Sequence, residues 1–150
     1  LDVVIIDNID CFFQEPGEFL IIRDWKRPWR MVGNSSVYRF KLGAFPEILP
    51  YFRENFDDIR KQFRHEQAYL SWFLNKDGKM SYWNDSWCKS YKYHCLQKIP
   101  LAYFKPPVKP KDAKIIIFHG EINPPDAING GGGKWYRYVL PSDWIKEAWQ

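Results

Sequence analysis

The chain opens LDVVIIDNIDCFF, Leu1–Phe13, and the first half of that stretch reads as a single buried β-strand. Val3–Ile6 is a short β-branched run bounded by Asp2 before it and Asp7-Asn8 after it, the pattern of a strand closed by a turn. A continuous apolar run of this kind is covered on both faces, so it needs a sheet and flanking layers around it. The chain begins with Leu, not Met, and enters this strand at once, which leads us to expect a truncated protein.

Working outward, Phe19–Ile22 is a second apolar run, and Ser36–Leu42 alternates as a third strand. Gly43 and Pro46 punctuate the next boundary. From Glu47 to Leu74 the spacing becomes helical, with Ile48, Phe52, Phe56, Ile59 and Phe63 followed by Tyr69, Leu70 and Phe73. This predicts two helices, one ending near Arg64 and one over Glu66–Leu74. Tyr82 and Trp83 fall in a short strand or loop after the Asp77-Gly78 turn. Lys105–Lys111, KPPVKPK, has too much proline for a helix or a central strand and reads as a rigid connector. It leads into Lys114–Phe118, an apolar strand that ends at His119-Gly120. Asn129–Gly133 is expected to be a mobile loop because of its run of glycines. After Pro141, Ser142 is placed to N-cap a short closing helix. Strands interspersed with helices put the chain in the α/β class.

Composition narrows the classes further. With 150 residues, 45% hydrophobic and 19% aromatic, the chain is a packed globular unit of about one domain. Most of the 8 Trp, 9 Tyr and 11 Phe are expected in cores, but rings in polar stretches, such as Trp25, Trp29, Trp83, Trp87 and Trp135, also suit sugar stacking. A net charge of +4 suits an anionic ligand such as a diphosphate, yet no Lys/Arg stripe marks a nucleic-acid partner. The densest basic stretch, Arg23–Arg30, is broken by Trp25, Pro28 and Trp29, and it is the segment expected to make any peripheral membrane contact. The cysteines, Cys11, Cys88 and Cys95, are odd in number and lack CxxC spacing, so reduced thiols and a cytoplasmic setting are expected.

Two strand ends carry residues suited to metal work. Asp2 stands at the start of the first apolar run and His119 at the end of the Lys114–Phe118 strand. Ligands of α/β folds gather where strands end. A carboxylate and an imidazole can share a divalent cation such as Mn²⁺. Of the 3 histidines, His65 and His94 show no metal-ligand spacing to His119, which argues against a two-metal hydrolase of phosphate esters.

The opening stretch resembles the segment after the DxD motif of GT-A-fold glycosyltransferases, with Asp2 as the last aspartate and Leu1 as the middle residue. GNSSVYRFKLG, Gly33–Gly43, resembles that family's Asn-Ser-Gly strand, with Ser36 in place of the glycine. HEQAYLSWFLN, His65–Asn75, looks like its helix bearing an acidic-Gln pair. FHGEINPP, Phe118–Pro125, is similar to the C-terminal His/Gly/Lys-Pro segment of the glycogenin-like and lipopolysaccharide galactosyltransferase-like members. Asn123 and Pro125 stand where that signature has Lys and Trp. Ile117 holds the usual metal-histidine position, and His119 lies one strand repeat beyond it on the same face.

This resemblance implies a single partial GT-A domain over residues 1–150, the C-terminal part of a mixed sheet with flanking helices, lacking its N-terminal nucleotide-binding half. It implies a metal-dependent transferase that moves a hexose from a nucleotide-sugar, a UDP-sugar foremost, to a glycan or lipid-linked acceptor. Asp2 and His119 would be the ligands of Mn²⁺ or Mg²⁺. Glu66 and Gln67 would be catalytic, and Asn34, Ser35, Ser36, Gly120 and Lys134 would bind donor or acceptor. Retention of configuration follows from the glycogenin-like likeness alone. The isolated piece is expected to be inactive. The competing class is a non-catalytic carbohydrate-binding module, which would account for the tryptophans but not for the strand ending in His119-Gly120 ahead of a glycine-rich loop.

Overall fold

The computed structural model describes residues 2–131 and 138–149. The chain is mixed α/β and divides into two compact units, one discontinuous (residues 1–14 and 84–150) and one continuous (Glu15–Trp83).

The discontinuous unit is built on a three-stranded sheet of order β1 (Val3–Ile5), β6 (Ile115–Ile117), β5 (Cys88–Ser90). β1 runs antiparallel to β6, with Val3 opposite Ile117, and β5 runs parallel to β6, with Ser90 opposite Ile117. The predicted apolar runs become β1 and β6 because both are buried. Val4, Ile116 and Phe118 fill one face, and Ile115 and Ile117 are equally hidden on the other. That first face packs with Tyr91, Cys95, Val139 and Ile145 into a single core, in which the rings of Tyr91 and Phe118 stack at 4.5 Å. Short helices surround it: α1 (Cys11–Gln14), α5 (Pro124–Asn129) and α6 (Asp143–Ala148).

α5 starts where Pro124 fixes the first turn, and the Asp126 carboxylate reaches back to accept the Asn123 backbone N–H at 2.9 Å. Asn123 is thus the N-cap position of this helix. α6 begins after Ser142 as expected, but the serine does not cap through its side chain. Its hydroxyl is buried and bonded instead to the Tyr91 hydroxyl at 2.8 Å. Gly130 and Gly131 both adopt positive φ, and Gly131 pairs with Val139. The remainder of the glycine run, with Lys134 and Trp135, lies outside the described residues.

The continuous unit holds a second three-stranded sheet, β3 (Gly33–Phe40), β2 (Phe19–Arg23), β4 (Met80–Tyr82), antiparallel between β2 and β3 and parallel between β2 and β4. The third strand starts at Gly33, earlier than the alternation from Ser36 suggests. The long predicted helix is two: α2 (Ile48–Glu54) stops at Asn55 and α3 (Phe56–Gln62) starts there. The Asn55 side-chain amide donates to the Tyr51 carbonyl, a local bond that competes with continuation of the helix. α4 (Glu66–Asn75) matches its prediction closely.

Phe19, Ile21 and Leu74 form the centre of this unit. Around α4, Tyr51, Phe52, Phe63, Tyr69, Trp72 and Phe73 make a mesh of ring contacts, which accounts for much of the aromatic content. Among the described residues, no helix is long and apolar enough to cross a membrane. Cys11, Cys88 and Cys95 form no disulfide, and burial pushes the thiol pKa values of Cys88 and Cys95 up to about 12.

Candidate functional site

Each unit carries its own group of the residues singled out from the sequence. In the discontinuous unit, the parallel strands β5 and β6 end side by side at Ser90 and Ile117. The chain leaves β5 as a π-helical turn, Tyr91–Cys95, and leaves β6 through His119 and Gly120. Single π-turns are rare and concentrate at functional sites. Carboxyl ends of parallel strands are where α/β folds place ligands. Here they border a cavity of about 520 Å³, lined among others by Lys92, Tyr93, Lys98, His119, Glu121 and Tyr138.

His119 is half-buried in that wall. Its Nε2 lies 2.7 Å from the Ser90 hydroxyl, and the Tyr93 ring sits 5.1 Å away, centroid to centroid. Gly120 follows with φ +95°, a conformation a side chain would strain, so the turn out of the strand needs glycine there. The π-turn is anchored on the same serine: Ser90 Oγ accepts the Tyr93 N–H, and Ser90 N–H donates to His94 Nδ1 at 3.0 Å.

Asp2 arrives from the far end of the chain. Its carbonyl accepts the N–H of Phe118 at 2.7 Å, which extends the β1–β6 ladder by one step and puts Asp2 beside His119 along the chain of β6. The register pairs Asp2 with Phe118, on the Val4–Ile116 face, whereas His119 turns toward Ser90 on the Ile117 face. The carboxylate and the imidazole thus leave the end of the sheet on different faces, so the register does not converge the two side chains on one point. In chemistry the pair fits Mn²⁺ or Mg²⁺, one oxygen and one nitrogen donor. Among the described residues no group of three or more His, Cys, Asp or Glu gathers to hold an ion.

The continuous unit assembles the second group. Ile21 pairs with Tyr38 but its neighbour Ile22 pairs with Asn34, so Ser35, Ser36 and Val37 are pushed out of the ladder as a bulge. Bulges of this kind re-aim side chains next to sites. Gly33 makes the bulge's foot possible: a β-carbon there would stand 2.6 Å from the Ile21 side chain. Its N–H donates to the buried Ser71 hydroxyl at 2.8 Å, which in turn donates to the Gln67 carbonyl. Within the bulge, Asn34 folds its amide oxygen back onto the Ser36 N–H, an Asx turn.

α4 begins directly against this bulge. The Ser35 hydroxyl donates to Glu66 Oε1, and the Ser35 N–H donates to Gln67 Oε1 at 3.4 Å. Asn34, Ser35, Glu66 and Gln67 are therefore one cluster, although the two pairs are far apart in sequence. The hydroxyl's hydrogen bond holds the Glu66 carboxyl below the usual carboxylate value, so Glu66 is ionised at neutral pH. With its Oε1 accepting, Gln67 keeps its amide N–H groups as donors for another partner.

No family model, curated protein or solved structure matches this chain.

Of the tryptophans considered for stacking, Trp83 is buried with its Nε1–H bonded to the Val37 carbonyl, whereas Trp29 is 76% exposed. Lys134 lies outside the described residues. Sequence reasoning missed Ser90, Lys92, Lys98 and Glu121. β5 has only three residues, and its place beside β6 is a long-range pairing with no local signature.

Proposed function

We propose that this chain is part of a metal-dependent GT-A-type glycosyltransferase that moves a hexose from a nucleotide-sugar, foremost a UDP-sugar, to a glycan or lipid-linked acceptor. The observation that carries the reading is the bond between the Asn34-Ser35-Ser36 bulge and the Glu66-Gln67 start of α4. These are the two stretches that the family resemblance assigns to the sugar, and they meet through hydrogen bonds on one side of one sheet.

The chemistry can be divided among the chain's own groups. Ionised Glu66 is a hydrogen-bond acceptor for sugar hydroxyls and a negative charge that favours a developing oxocarbenium centre. In that state it is unsuited to be a general acid. Gln67 and Asn34 offer amide donors, and the Ser36 hydroxyl lies on the exposed side of the bulge. In the other unit, Asp2 and His119 are assigned as ligands of Mn²⁺ or Mg²⁺ from the sequence resemblance alone, since the register turns them to different faces; a cation held there would supply Lewis-acid neutralisation of a diphosphate leaving group. Gly120, exposed at the strand end, offers backbone N–H to a phosphate, and Lys134 is assigned its cationic role from the sequence alone.

The test is transfer. The protein is assayed against a panel of nucleotide-sugars with and without manganese. Manganese-dependent hydrolysis or transfer, lost in His119→Ala with an unchanged circular-dichroism spectrum, is the expected outcome. Absence of both turnover and binding across the panel would sink the reading and favour a carbohydrate-binding module.

A further inference from the structure

We infer that Ser90 is the positioning residue of His119, fixing the neutral ring as the tautomer that carries its proton on Nδ1. The inference holds whatever reaction the chain performs, because it rests on the strand pairing and on hydrogen-bond bookkeeping around one buried hydroxyl.

Parallel pairing of β5 with β6 sets Ser90 opposite Ile117, so the serine side chain shares a face with Ile117 and with His119 two residues further on. Ser90 is fully buried, at 0% exposure, and does not line the cavity. That burial excludes it as a nucleophile toward a ligand in the cavity, despite the 2.7 Å serine–histidine contact that such dyads show.

A hydroxyl has one proton to give and lone pairs to receive. Ser90 Oγ already receives the Tyr93 N–H at 3.3 Å, as the N-cap of the π-turn. Its other neighbour is His119 Nε2. If the ring donated Nε2–H to the serine, the oxygen would take two N–H groups and its own proton would be stranded in the core. Leaving a buried donor unsatisfied costs about 1–3 kcal/mol, enough to decide between tautomers. The serine therefore donates to Nε2, and the imidazole proton resides on Nδ1.

The experiment reads the ring nitrogens directly, in the ligand-free chain at a fixed pH of about 8.5, where imidazole is neutral. Long-range proton–nitrogen NMR spectra are recorded, with His119→Gln identifying the His119 signals. A pyridine-like Nε2 and a pyrrole-like Nδ1 are expected. In Ser90→Ala the two shifts should move toward the opposite tautomer, and Ser90→Thr should restore them. A pyrrole-like Nε2 in the unaltered chain overturns the inference. So does a folded Ser90→Ala chain whose His119 shifts are unchanged. If Ser90→Ala does not fold, the unaltered chain decides the matter alone.

Discussion

At the scale of single residues, the Ser35–Glu66 bond is the feature whose effect can be measured most directly. The Ser35 hydroxyl is the largest cause of the depressed Glu66 pKa, ahead of the backbone N–H groups at the start of α4. Removing it in Ser35→Ala should raise the carboxyl back toward its ordinary value, as read by carbon-detected NMR titration. The sign for stability follows from linkage. A group depressed in the folded state favours folding above its unfolded pKa, and that contribution disappears as pH falls through the folded value. Acid unfolding of Ser35→Ala should therefore differ from that of the unaltered chain near neutral pH and converge with it below the carboxylate range. The residues of this cluster were legible in the sequence because they sit in two compact motifs, Asn34-Ser35-Ser36 and Glu66-Gln67. Ser90 was not, since nothing near it in the chain announces that it will face His119.

At the scale of elements, the strands that could be read beforehand are those whose own composition demands burial. Val3–Ile5, Phe19–Arg23 and Ile115–Ile117 are such runs. Met80–Tyr82 and Cys88–Ser90 are strands only because a longer neighbour offers them a ladder, a fact no local pattern contains. The split of α2 from α3 at Asn55 was hidden for a related reason. The apolar spacing runs on through the break, while a side-chain amide satisfies the carbonyl that the next turn would use. The bulge of β3 gives this scale its prediction. Gly33→Ala would drive a methyl group into the Ile21 side chain, on a strand fixed on its other side by the Ser71 bond. Overpacking of this kind costs about 1–3 kcal/mol, so the urea midpoint should fall with little change in slope. A loss of less than a few tenths would show that Ile21 can move aside.

At the scale of the whole molecule, the chain's two units differ in how they use the sequence. Glu15–Trp83 is one uninterrupted stretch with its own sheet and its own core around Phe19, Ile21 and Leu74. Expressed alone, residues 15–83 should show helical circular dichroism and a cooperative thermal transition. A featureless melt would mean that this core needs the rest of the chain. The α/β class and most of the helix positions were legible at this scale, but the division into two units was not, because it depends on β1 pairing with a strand near the other end.

That pairing also sets a timetable. During synthesis the apolar Val3–Ile5 segment leaves the ribosome long before Ile115–Ile117, the only strand the described ladder gives it. At about 5–20 residues per second the wait is on the order of ten seconds. Throughout it, a sticky strand without its neighbour trails a body, residues 15–83, that has had time to close on itself. The newborn chain should therefore depend on chaperones for the Val3–Ile5 strand rather than for residues 15–83.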